Sequence, residues 1–178
     1  MRWHHIVPAI LSTALLSFTQ NCAAEAPKTI KPVIVLSGSD SAIAEPTIER
    51  CCSDKELRAL WEIHQGGDNR DRCPQVDFDS FMVIALFKGA HPFGASISFD
   101  NIVEDAESIH LRYYPGGFQL IGRKPGDEES EADKLKRVTR SFVIVVLPVS
   151  KKAVVIEETT RDSDALKEQK RFPAIDKK

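Results

Sequence analysis

The stretch VDFDSFMVIALFKGAHPFGASISFDNI, Val76 to Ile102, decides the reading of this chain. From Phe81 to Phe87 it is continuously apolar, as a strand covered on both faces is, whereas Ile97 and Phe99 alternate with Ser96, Ser98 and Asp100. Two strands of different exposure are therefore expected. They are joined by Lys88-Gly89-Ala90-His91-Pro92-Phe93-Gly94. Gly89 and Gly94 permit backbone angles that other residues resist, and Pro92 fixes one angle. Such a connection holds His91 and Phe93 at its tip as a recognition loop, or folds Phe93 back onto the core as a tight strand connection.

Working outward, Ile109, Leu111 and Tyr113 alternate with Ser108, His110 and Arg112 beyond the acidic break at Glu104 to Glu107. The simplest arrangement is a meander of three antiparallel strands. Phe142 to Leu147 is a second buried run, and Pro148 to Lys152 turns it into Ala153 to Glu157 as a final hairpin. Upstream, Pro32 to Leu36 reads as a short first strand. Ser53-Asp54-Lys55-Glu56 is a capping box, and Leu57, Leu60, Trp61 and His64 recur at helical spacing before Gly66-Gly67. The expected fold is α+β, with one amphipathic helix packed on a mainly antiparallel twisted sheet or partly open barrel.

The 178 residues, 42% apolar and 28% charged, fit one domain. A formal net charge of -2 argues against nucleic acid as a partner, because neutralising phosphates needs a clustered Lys/Arg excess. Met1 to His5 is a short basic start, followed by the apolar run Ile6 to Phe18 and then small residues. That is the layout of a secretory signal, too short for a bilayer-spanning helix. Cleavage after Ala24 is expected, giving a secreted or periplasmic protein with no transmembrane segment; lipidation at Cys22 is the alternative. The chain then divides into a signal (1–24), an N-terminal segment (25–52), the helix-plus-sheet domain (53–158) and a charged tail (159–178), expected to be disordered or loosely docked. The long polar stretch 122–140, acidic at Asp127 to Glu131 and basic from Lys134 to Arg140, is a solvated excursion or a functional loop.

In an oxidising compartment Cys73 is expected to bridge Cys51 or Cys52, closing a loop of about 20 residues worth about 3 kcal/mol and leaving one thiol odd. A zinc site from Cys51, Cys52, His64 and Cys73 is disfavoured, since adjacent cysteines rarely both reach one tetrahedral ion. No phosphate loop, zinc-protease helix, Cys-x-x-Cys pair or nucleophile elbow is present. Asp77 and Asp79 read as turn acids, so no catalytic residue, metal or cofactor is assigned.

The order of capped helix with Leu60-Trp61, then Pro74 to Phe78, Met82 to Phe87, Gly89 with Pro92 and Gly94, and Ile97 to Ile102 resembles the PrcB C-terminal-like family. That family is named for a small lipoprotein subunit of a bacterial surface protease complex. Where the family carries a Gly-Gly-Tyr-like segment after the proline, this chain has Phe93-Gly94-Ala95-Ser96. The resemblance implies a secreted, non-catalytic accessory domain that binds or stabilises a protein partner, a protease among the candidates. Partner-binding residues are then expected at Gly89, His91, Pro92, Phe93 and Gly94. Two other functions are compatible with the residues: a protease inhibitor acting through the same loop, and an enzyme with a site around His91, Asp77 and Asp79.

Overall fold

The computed structural model describes residues 26–67, 72–91, 96–116, 138–160 and 163–175. The expected signal, Cys22, most of the charged stretch 122–140, and Pro92, Phe93 and Gly94 lie outside the described residues.

The chain forms three layers. The helix α1 (Asp54–Gln65) covers one face of a four-stranded sheet, built from β2 (Ile34–Gly38), β7 (Phe142–Pro148), β4 (Phe81–Phe87) and β3 (Thr47–Cys51) in that order. The other face of this sheet packs on a five-stranded sheet of β1 (Lys28–Thr29), β5 (Ser96–Glu104), β6 (Ser108–Gly116), β8 (Ala153–Thr160) and β9 (Ser163–Phe172). All pairings between these strands are antiparallel except β6 with β8. The α+β class with a mainly antiparallel sheet is what the structure has, and among the described residues the sheets do not close into a barrel.

The middle layer explains the apolar runs. Alternate residues of β4 and β7 face opposite cores, so both sides of each strand need apolar side chains. Met82, Ile84, Leu86, Val143, Val145 and Leu147 meet Ile102, Ile109, Leu111, Val154 and Ile156 between the sheets. Val83, Ala85, Phe87, Phe142, Ile144 and Val146 meet Leu57 and Trp61 on the helix side. Each fully buried aliphatic side chain contributes about 1.5 to 3 kcal/mol.

The helix starts and stops where its sequence dictates. Ser53 Oγ accepts from Glu56 N–H at 3.3 Å, while Glu56 Oε2 reaches back to Cys52 N–H at 2.7 Å. Such a cap is worth about 1 kcal/mol. Gly66 ends the helix in the left-handed region, at φ 65°.

Pairing differs from the expected meander. β4 and β5 do not pair; the connection after β4 crosses from the middle layer to the outer sheet, where β5 is mostly half-buried. The expected final hairpin also separates, with β7 in the middle layer and β8 running parallel to β6. β3 arises within the segment 25–52, in which only the first strand was expected.

The tail expected to be disordered or loosely docked instead supplies β9, paired along β8. Its backbone carries the pairing, and Phe172 packs on the inter-sheet core. Arg50 and Lys170 place their cations 5.2 and 4.8 Å from the Phe172 ring centroid. Beyond the strand, Pro173 O accepts from Arg50 at 2.9 Å and Ile175 N–H donates to Lys151 O at 3.0 Å.

Candidate functional site

The connection after β4 is held at its base. Lys88 N–H donates to Ser141 O at 2.9 Å, Ala90 N–H to Ala44 O at 2.7 Å, and His91 and Thr139 exchange two backbone hydrogen bonds of 2.9 Å. Gly89 sits at φ 76°, where a Cβ would lie 2.6 Å from Ala44 O. Both the positive φ and the close backbone approach require glycine there. Gly89 thus uses the backbone freedom expected of it, and the base of the connection is fixed.

Beside this base the ends of the two sheets part to leave a cleft of about 690 Å³. Its apolar walls are Ile48 of β3, Leu86 and Phe87 of β4, Ile97 of β5 and Pro115 of β6. Polar groups project among them: Lys88, His91, Tyr113, Glu158, Gln169 and Lys170. β3 and β9, which both line it, are the edge strands of their sheets. The cleft therefore runs between two strand edges.

Its polar groups are unequally satisfied. Tyr113 OH donates to Glu158 Oε2 at 3.2 Å, and burial, then the Glu158 carboxylate, push the phenol's pKa up. Lys170 donates to Ile48 O and faces Glu49 at 3.6 Å, tying the two edges together. Lys88 is different: its ammonium makes no hydrogen bond or ion pair with a described residue. Burial pushes its pKa down, against the opposing influence of Glu158. Gln169 Nε2 is buried and has no acceptor among the described residues.

Two other polar clusters are internally complete. On the helix side, Ser41 and His64 are 1% and 5% exposed, with Oγ and Nδ1 2.9 Å apart. Ser41 Oγ also accepts from Ile43 N–H at 3.1 Å, and the imidazole packs edge-on to Phe142 at 4.3 Å between centroids. This serine and histidine resemble a nucleophile and base, but no substrate reaches so closed a pair. On the outer sheet, His110 Nδ1 and Nε2 each lie 3.0 Å from a carboxylate, of Glu157 and Asp105. Both contacts are hydrogen bonds when the ring is an imidazolium. Arg112 Nε donates to Glu157 Oε2 at 2.9 Å, and the cluster clamps β6 to β8. Burial would raise the Glu157 pKa, but its hydrogen bonds to Arg112 and His110 outweigh that and hold it low.

The enzyme site considered around His91, Asp77 and Asp79 does not assemble. His91 follows β4 and the two acids precede it, so the seven residues of the strand keep them roughly 23 Å apart. Asp77 is occupied in its own turn, accepting from Asp79 N–H at 3.1 Å and Ser80 Oγ at 2.8 Å.

The expected disulfide is corrected as well: Cys51, Cys52 and Cys73 are all free thiols. Cys51 is buried at the end of β3, and Cys73 packs against the same core. Burial, reinforced by Glu56 and Glu49, pushes the Cys51 pKa up to about 12, and burial also raises those of Cys52 and Cys73. The thiolate that disulfide exchange or zinc binding needs is disfavoured at all three. Among the described residues no cluster of three or more His, Cys, Asp or Glu is placed to hold a metal ion. Nor is any described helix long and apolar enough to cross a membrane.

Of the expected partner-binding residues, His91 lines the cleft, while Gly89 does not line it but packs on the backbone of Ala44 to Pro46 between the lining residues Lys88 and His91. Lys88, Tyr113, Glu158 and Gln169 were missed, because only the crossing of chain between sheets brings them together. The single local signal was Lys88, a charge directly after a fully apolar strand. Comparisons of the chain with models of protein families, with curated proteins and with solved structures gave no match.

Proposed function

We propose that this chain is a non-catalytic, extracytoplasmic protein-interaction domain, an accessory or stabilising subunit of an envelope complex, which takes its partner in the cleft beside the 88–94 connection. One observation carries the reading: the pinned base of that connection and the edge strands of both sheets converge on one cleft with apolar walls and projecting polar groups. Preformed concave sites of this composition are where proteins bind ligands, and a fixed backbone lowers the ordering cost of association. The basic and apolar start of the chain supports export, and the likeness to the PrcB C-terminal-like family supports an accessory role.

The test is capture of partners from the native cell envelope with three versions of the exported protein. Ile97→Trp fills the cleft, and Arg58→Ala alters the exposed helix face away from it. The reading predicts that a partner retained by the wild type and by Arg58→Ala is lost by Ile97→Trp, with thermal midpoints showing all three folded. Equal capture by all three folded proteins contradicts it.

A further inference from the structure

The chemistry of the cleft narrows what it takes. Lys88 brings an ammonium without a hydrogen-bonding partner among the described residues, and Gln169 brings a buried amide donor in the same condition. The acceptor nearby, Glu158, already has the Tyr113 hydroxyl. The unmet groups are thus donors, and an occupant satisfies them only by supplying acceptor oxygens. Leaving the buried Gln169 amide unpaired costs free energy that a ligand recovers on binding, and the half-buried Lys88 ammonium exchanges water for that ligand. An ammonium is best answered by an anion, because charge-assisted hydrogen bonds are roughly twice as strong as neutral ones.

The walls fix the rest of the ligand. Ile48, Leu86, Ile97 and Pro115 accept apolar side chains, and the edge strands β3 and β9 flank the opening. Main-chain groups on strand edges pair with an extended peptide, while pockets for alternate side chains select among sequences.

We propose that the cleft recognises an extended, apolar segment of the partner protein bearing a carboxylate, which Lys88 and Gln169 receive. This inference rests on the protein-binding reading above and adds the chemistry of the segment. The carboxylate comes from an Asp or Glu side chain or from a chain terminus. Glu158 opposes it, which gives the inference two consequences of opposite sign: loss of the Lys88 charge weakens binding, and loss of the Glu158 charge strengthens it. A cationic segment would reverse both.

The experiment uses a library of random peptides of about twelve residues, selected on the full-length exported protein and titrated by fluorescence anisotropy. The expected winners carry a carboxylate among apolar residues. Replacing that carboxylate by its amide, or making Lys88→Met, weakens binding at least about ten-fold. In Lys88→Met the acid and amide peptides bind alike, and Glu158→Gln tightens the acid peptide. Winners without a carboxylate, unchanged affinity in Lys88→Met, or failure to enrich any peptide overturns the inference. Envelope capture separates it from the broader reading. If Ile97→Trp abolishes capture and Lys88→Met leaves it intact, the carboxylate falls and protein binding in the cleft stands; if neither variant matters, both fall.

Discussion

His64 and Lys88 are polar side chains set in apolar surroundings on opposite sides of the middle sheet, and their environments could hardly differ more. His64 is enclosed by Trp61, Phe87 and Phe142, and its Nδ1 is met by Ser41. Lys88 is half-buried at the mouth of a cleft and is met by no described hydrogen-bonding group. A buried polar group that is fully answered fixes a core in one arrangement; one left unanswered is a cost to stability that selection retains where a ligand supplies the answer. On this contrast the Ser41–His64 pair is architecture, and Lys88 and Gln169, which line one cleft, are the groups we propose for binding.

The enclosed side breaks most severely when its wall is removed. Trp61 is 9% exposed and its ring lies 5.2 Å from that of His64. Trp61→Ala should cost about 3 to 5 kcal/mol in urea denaturation. A loss below about 1 kcal/mol would mean that the helix does not seal this side.

Gly89→Ala tests the open side, since it places a Cβ against Ala44 O at a left-handed backbone position. It should cost about 1 to 3 kcal/mol by the same assay. An unchanged midpoint would show that the base of the connection is not held as described.

Ser41→Ala sharpens the contrast directly. It removes the partner of His64 Nδ1 and the acceptor of Ile43 N–H while leaving the apolar enclosure intact. An unanswered buried group costs about 1 to 3 kcal/mol. A neutral effect would dissolve the distinction between answered and unanswered groups.

The smallest effect is expected from the outer cluster, which is answered but less deeply enclosed. The Glu157 and Asp105 pKa values are both held below their ordinary range, Asp105 chiefly by the backbone N–H groups of Glu107 and Ser108. A depressed carboxylate stabilises the fold above its unfolded pKa, and that contribution is lost as pH falls through the ordinary carboxylate range to the lowered folded value. Thermal midpoints should decline across that window, and Glu157→Gln should flatten the decline. An identical acid limb in the variant would show that this cluster does not contribute.

These regions were unequally legible in the sequence. The helix could be read in full because its signals are local: Ser53 and Glu56 at one end, Gly66 at the other, and Leu57, Trp61 and His64 between them. The two-sided burial of β4 was equally plain, since seven successive apolar residues have no other use in a strand. The neighbours of that strand were not legible. An apolar run states how many faces are covered but not by what, so β5 was assigned as the partner where β3 and β7 serve. β9 was missed because its pairing is made by backbone, and a half-exposed edge strand tolerates the charges of Lys167 to Arg171. The cleft shows the same limit: His91 was the lining residue the sequence singled out, while Tyr113, Glu158 and Gln169 come together only after two sheets have stacked.

The most direct test of the central contrast is the double variant Lys88→Met, Gln169→Met, measured for stability and for partner affinity side by side. Its stability is predicted to match or exceed that of the wild type, because two unanswered polar groups are replaced by apolar ones, while affinity for the captured partner falls at least about ten-fold. Lost stability with unchanged affinity would contradict the account and make these groups part of the architecture, as Ser41 and His64 are.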